Sequence, residues 1–267
     1  MTKKQSPPAA ALLTFAHELA DASGKAILPH FRRRMTVDNK DKDGGYDPVT
    51  AADRAAERVV RKLVRARHPD HGFEGEEYGN EGLDAQWRWV VDPIDGTRSF
   101  VLGLPIWGTL IGLTNAGAPV LGIMDQPYTG ERFWSAGRGA FFRGPGGKPR
   151  RIKTRLTAKI ADAMMTTTHP DLFADGAERT GFERIKTKVR ACRYGGDCYT
   201  YCLLAAGHVD VIVEAGLKPY DITALVPIIE GAGGVVTTWD GAPASRGGRI
   251  VASGDPRLHE AVMKVLG

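Results

Sequence analysis

Apolar residues in the first thirty-odd positions keep to one broad face. Leu12, Leu13, Ala16, Leu19, Ala20, Ile27, Leu28 and Phe31 recur near the helical period, which predicts one long helix or a broken pair. The polar stretch DNKDKDGGYDP, residues 38–48, interrupts the pattern, and its glycines would permit a mobile lid. Ala52, Ala56, Val59, Val60, Leu63 and Val64 then mark a second helix, with Thr50 placed to cap its start and His68-Pro69 to stop it. From HGFEGEE onward the period changes. WRWVVD, WGTLIGLTN, VLGIMDQP, RFWSAG and GAFFRG are short β-rich runs closed by Gly, Pro or Asn, and they predict successive strands of one sheet.

The Gly/Pro-rich basic stretch RGPGGKPRRIKT is the one internal boundary the pattern offers. Beyond it, DAMMTTT and TKVRACRY read as strands, Asp197 to Gly207 as a helix and VDVIVEAG as a strand. DITALVPIIEGAGG reads as a helix ending at glycines, VVTTWDG and RIVASG as strands, and the chain closes with a helix from Pro256. Strands and helices alternate more here than in the middle. A single domain of two intimate α/β halves, approximately 1–148 and 149–267, is expected.

Composition narrows the class only modestly. A chain of 267 residues, 42% hydrophobic and 25% charged, can bury a sizeable core as an ordinary globular protein. The net charge of +5 invites a nucleic-acid reading, but the clusters Arg32–Arg34 and Arg150–Lys153 are short and carry no interleaved aromatic residues. They fit a solvated face whose field draws in a phosphate ester. Cys192, Cys198 and Cys202 make an odd set without a disulfide framework, which suits a reducing cytoplasm; Cys198 and Cys202 read as small core residues. Neither a signal-peptide pattern nor an apolar run of about 20 residues is present, so no membrane partner is expected.

The chemistry gathers on carboxylates. VVDPIDGTRSF ends an apolar strand with Asp92 and Asp95, a pattern that fits a turn or a site for a hard divalent cation. Asp53, three residues after Thr50, fits a capping box. Glu76 and Glu77 follow a strand end, while Asp221 and Asp197 stand at helix starts and fit N-caps. Taken together, acidic residues meet strand ends and helix starts in four places, where helix N-termini also receive phosphate. Such an arrangement suits Mg²⁺ and a phosphoryl group, with the Thr97 hydroxyl available to orient a water.

FEGEE, WVVDPIDGTRSFVLGLP and YDITALVPIIEGAGGVV, in this order and spacing, resemble the three signature blocks of the inositol monophosphatase-like, Mg²⁺-dependent, lithium-sensitive phosphatase superfamily, and DPVTAAD resembles its fourth element. The resemblance implies a layered α-β-α-β-α sandwich of mixed α/β class, of the inositol monophosphatase and fructose-1,6-bisphosphatase type, usually a homodimer. It implies two or three Mg²⁺ ions: Glu76, Asp92 and the Ile94 carbonyl hold the first, Asp92, Asp95 and Asp221 the second, and Glu76 with Asp53 helps a third. Thr97 and Asp53 would position the attacking water, and the backbone N–H groups of Gly96 and Thr97 would bind phosphate.

RYGGDCYTYCLLAAGHVDVIVEAGLKPYD resembles, more narrowly, the histidinol-phosphatase branch. Gly196 and Asp197 stand where inositol phosphatases place small residues to receive a polyol, and Glu214 keeps a substrate-contacting position. Carboxylates suit the ammonium and imidazole of histidinol. The implied activity is hydrolysis of L-histidinol phosphate to L-histidinol and phosphate, a step of histidine biosynthesis, in the cytoplasm, on a small-molecule substrate with no nucleic-acid or membrane partner. Inositol 1-phosphate or another sugar or nucleotide phosphate is the alternative substrate. A basic RNA-binding accessory factor on a vestigial scaffold is the rival of another class. That rival predicts lost metal ligands, whereas Glu76, Asp92, Asp95 and Asp221 are all present.

Overall fold

The structure, a computed structural model, describes residues 10–34, 36–40 and 48–266. The expected lid over residues 38–48 therefore lies largely outside the described residues. The chain opens with α1 (Ala10–Ile27), the short antiparallel pair β1 (Val37–Asn39) and β2 (Pro48–Thr50), and α2 (Ala51–Arg67). The first sheet follows: β3 (Gly72–Gly75), β4 (Asn80–Glu81), β5 (Trp87–Asp95), the short α3 (Thr97–Val101), β6 (Gly108–Asn115), β7 (Ala118–Gln126), β8 (Glu131–Ser135), β9 (Ala140–Arg143) and β10 (Arg150–Ile152), with β5 to β10 an antiparallel meander and β3 parallel to β5. The rest comprises β11 (Met164–Thr167), α4 (Ala177–Lys186), β12 (Ala191–Tyr194), α5 (Asp197–Ala205), β13 (Val211–Leu217), α6 (Pro219–Ile222), α7 (Leu225–Ala232), β14 (Val235–Thr238), β15 (Gly248–Ser253) and α8 (Pro256–Leu266).

These elements form five layers. The first sheet has eight strands in the order β10-β9-β8-β7-β6-β5-β3-β4, and the second has five in the order β12-β11-β13-β15-β14. One face of the first sheet is covered by α1 and α2, whose Phe15, Leu19, Val60 and Val64 meet Trp89, Val91, Ile111 and Ile123. Strand alternation turns the next residues the other way. There Leu110, Met124 and Phe133 pack with α5 and α7 and with Ile212, Ile250 and Ala252 of the second sheet. The outer face of the second sheet is closed by α4 and α8 through Phe182, Ile185, Leu258 and Val262. The mixed α/β sandwich expected from the sequence is the fold observed.

Local sequence explains the starts and stops that hold the site. Thr50 caps α2: its hydroxyl accepts from Ala52 N at 3.1 Å while Asp53 Oδ2 accepts from Thr50 N at 2.9 Å. His68 ends the same helix, as its sequence predicts. The expected helix over DITALVPIIEGAGG is two helices, α6 and α7. Pro227 is the reason: it lacks the N–H that a continuous helix would donate to Thr223, but it is tolerated in the first turn of a new helix. Helix α4 has no counterpart in the sequence reading, because only Gly181, Phe182 and Ile185 of its ten residues are buried. Gly181 lowers helix propensity but permits close packing, since a Cβ there would lie 3.1 Å from the Trp239 ring. Strand β10 pairs with β9 across residues 150–152, so the first sheet takes its last strand from within the basic stretch rather than ending before it.

Candidate active site

Strand β5 carries the opening Asp pair to the rim of the first sheet. Its pairing with β6 becomes irregular between Asp92 and Asp95, so the strand bends where both carboxylates sit. Asp92 Oδ1 accepts from Ile94 N at 3.0 Å, which folds the Asp-Pro-Ile turn back on itself. Across the gap, α6 presents Asp221, whose Oδ2 accepts from Lys218 N at 2.6 Å. Asp221 thus sits at the third position of α6 rather than capping it. Asp92, Asp95 and Asp221 each place a carboxylate oxygen within 4.8 Å of the others.

Three carboxylates this close repel one another. Burial first, and then Glu76, Asp95 and Asp221, hold the Asp92 carboxyl well above the usual carboxylate range. Burial, Asp197 and Asp221 do the same for Asp95, and burial foremost pushes Asp221 up to about 7. A cluster of close hard oxygen donors with excess negative charge, partly to fully buried, fits a divalent cation.

Glu76 stands beside Asp92 at the end of β3. Its Oε1 accepts from the Lys40 ammonium at 2.7 Å, and Glu77 Oε1 accepts from the same ammonium at 3.0 Å. Glu77 itself is pushed up to about 7, chiefly by burial and then by Glu76. The turn bearing both is held from below: Glu57, fully buried on α2, accepts from Glu77 N at 2.7 Å and Tyr78 N at 3.1 Å and pairs with Arg61 at 2.6 Å.

Asp53, one turn before Glu57, faces α3. Its Oδ1 lies 3.5 Å from Thr97 Oγ1, and that hydroxyl also donates to the Ile94 carbonyl at 3.0 Å. Burial raises the Asp53 carboxyl to about 6, against the pull of its bonds from Thr50. Gly96 precedes α3 in the left-handed region, φ 86°. A β-carbon there would also lie 2.8 Å from Asp197 Oδ2.

Asp197 is not the cap its position suggests. Gly195, Gly196 and Asp197 all have positive φ, at 88°, 113° and 42°. The Asp197 side chain makes no capping bond; its Oδ2 accepts from Ser99 Oγ at 2.7 Å, and the following Cys198 N donates to Asp95 Oδ2 at 2.6 Å. Behind it Glu214, on β13, is 1% exposed. Its Oε1 accepts from Thr168 N at 2.7 Å and Thr168 Oγ1 at 2.9 Å, whereas Oε2 is buried without a bond of ordinary geometry, and the Thr167 hydroxyl, likewise without one, also draws the carboxyl down. Burial pushes Glu214 up to about 7. Cys198 and Cys202 are core residues, as read from the sequence, and all three cysteines are free.

The structure therefore gathers Asp92, Asp95 and Asp221, sets Glu76, Asp53, Ile94, Gly96 and Thr97 around them, and seats Asp197 and Glu214 on one side. Lys40, Glu57 and Ser99 belong to the same region and were not singled out by sequence reasoning. Glu57 alone left a signal, as an acidic residue among the apolar positions of α2 one turn after Asp53.

Comparison with known proteins points the same way. The model of the inositol monophosphatase family matches residues 9–267. The chain is 41% identical over 260 residues to the bifunctional phosphatase IMPL2, chloroplastic, of Arabidopsis thaliana, covering 93% of this chain and 72% of that one. It is 37% identical to a histidinol-phosphatase of Mycobacterium tuberculosis, covering 81% and 83%. An inositol monophosphatase structure from Zymomonas mobilis superposes with a TM-score of 0.85 at 40% identity, over 96% of this chain and 97% of that one.

Proposed function

The chain belongs to the inositol monophosphatase family of phosphatases, and from that premise we propose that it is a Mg²⁺-dependent phosphomonoesterase whose substrate is L-histidinol phosphate. Asp92, Asp95 and Asp221, with Glu76 and the Ile94 carbonyl, would hold two or three Mg²⁺ ions, Asp53 contributing beside Glu76. Metal held there would supply charge to neutralise the ester oxygens and to lower the pKa of a water. The chain's own groups do the rest. Thr97 Oγ1, set between the Ile94 carbonyl and Asp53, orients the attacking water. Asp53 Oδ1, facing the same hydroxyl, is placed to share the water's proton. The Gly96 and Thr97 amides receive the phosphate, and Asp197 and Glu214, with Gly196 at the turn, face the alcohol portion.

One observation supports the substrate assignment above others. Glu214 Oε2 is a buried acceptor that makes no hydrogen bond of ordinary geometry among the described residues, the Thr167 hydroxyl offering it only a weak one, and a substrate N–H would satisfy it. The ammonium or imidazole of histidinol supplies such a donor. The free cysteines suit a cytoplasmic enzyme, and we assign it a homodimeric state to be checked by sedimentation.

The test is a phosphate-release screen over histidinol phosphate, inositol 1-phosphate, fructose 1,6-bisphosphate and adenosine 3′,5′-bisphosphate, with and without Mg²⁺. Histidinol phosphate should give the highest kcat/KM, and chelation should abolish release. A higher value for inositol 1-phosphate would move the assignment to a polyol phosphate. Release that survives chelation would remove the metal from the reading.

A further inference from the structure

Asp197 is held in an arrangement that its own helix does not require. A non-glycine residue at φ 42°, after two glycines also at positive φ, holds a backbone conformation that L side chains rarely adopt. Two contacts follow from that conformation. The Cys198 N–H is turned onto Asp95 Oδ2 at 2.6 Å, and the Asp197 carboxylate is laid against Gly96 and Ser99, with Ser99 Oγ 2.7 Å from Oδ2. Only glycine leaves room at position 96, since a β-carbon would lie 2.8 Å from Oδ2. Ser99 is itself 8% exposed and fixed on α3, the element that begins with Thr97.

We propose that Ser99 is a positioning residue for substrate discrimination: its hydroxyl occupies Asp197 Oδ2 and so fixes Oδ1 toward the alcohol portion of the ester, in register with Asp95. This rests on the reading that Asp197 meets the substrate. Without the Ser99 bond the carboxylate is free to rotate, and the ordering lost must be supplied each time substrate binds. The selectivity of the site then resides in the Ser99–Asp197 pair rather than in Asp197 alone.

The experiment is a double-mutant cycle on a ratio. The kcat/KM for histidinol phosphate is divided by that for inositol 1-phosphate in wild type, Ser99→Ala, Asp197→Asn and the double variant, with circular dichroism confirming the fold of each. Asp197→Asn should change the ratio by roughly 10- to 150-fold, the range of a hydrogen bond to a charged group. Ser99→Ala should change it in the same direction by roughly fivefold or more, as the loss of about one hydrogen bond implies, and the double variant should change it no further than Asp197→Asn. A wild-type ratio favouring inositol 1-phosphate overturns the histidinol reading but leaves the pairing intact if the cycle is non-additive. A ratio unmoved by Ser99→Ala, or effects that simply multiply, overturns the pairing whatever the preferred ester.

Discussion

Asp53 divides its carboxylate between two tasks. Oδ2 closes the capping box of α2, and Oδ1 faces the Thr97 hydroxyl. The sequence reading of a capping partner was thus correct and incomplete, because spacing along a helix reveals a local bond but not which distant loop returns to meet it. Thr97→Ala should lower kcat at least tenfold with little change in KM, since orienting a nucleophile matters mainly in the transition state; a variant altered only in KM would make Thr97 a helix residue and nothing more. Glu214 makes a prediction about pH. Its native pKa of about 7 lies above the ordinary 4.5, so the folded state binds the extra proton and stability is greatest below the ordinary value. That contribution is lost as pH rises from about 4.5 to 7, by on the order of 3 kcal/mol at about 1.4 kcal/mol per unit. In chelated protein, urea midpoints should therefore fall between about pH 4.5 and 7, with Asp53, Glu77 and Asp221 contributing in the same sense, and Glu214→Gln should remove its share of the decline; an unchanged slope would place the titration on the other carboxyls.

Among the elements, the turn after β3 depends most on what lies beneath it. Glu57 gathers two backbone N–H groups of that turn, Arg61 joins Glu57 to Glu81 and the Gly79 carbonyl, and Gly75 has no side chain because a β-carbon would stand 2.4 Å from Glu57 Oε1. Glu57→Gln keeps an acceptor but loses the charge that binds Arg61. Its Mn²⁺ affinity, followed by electron paramagnetic resonance, should fall about tenfold, as the loss of support beneath the turn that carries Glu76 implies. A lower Tm with unchanged Mn²⁺ affinity would make this an ordinary internal ion pair. The meander from β5 to β9 was legible because each of its strands is bounded by turn residues and pairs with its neighbour in sequence; β3, parallel to β5, and β4 at the edge follow no such rule. Helix α4 was not, since its few buried positions are scattered among charges. The division between α6 and α7 was overlooked although Pro227 marked it in plain view.

At the scale of the whole molecule the two expected halves share their largest core. Leu110, Met124 and Phe133 of the first sheet pack against residues from α5, α7 and the second sheet. We propose that the halves unfold as one unit: calorimetry of the chelated protein should give a single transition, and the fragment 1–152 should bind a hydrophobic dye because that face is uncovered. Two resolved transitions would make the halves separable domains. No helix among the described residues is long and apolar enough to cross a membrane. Layer order was legible only through family resemblance, because hydrophobic period identifies strands without saying which are neighbours. The second sheet illustrates this: β15, made almost last, lies between β13 and β14 and pairs antiparallel with both. A growing chain meets this constraint in time. With synthesis at roughly 5–20 residues per second, β13 and β14 leave the ribosome without the strand that joins them, while the first sheet can already be zipped from neighbour to neighbour. The acidic pair on β5 is thus completed before its partner on α6 has a settled sheet behind it, and a chain halted short of residue 248 has every metal ligand in its sequence but no fixed frame to bring them together.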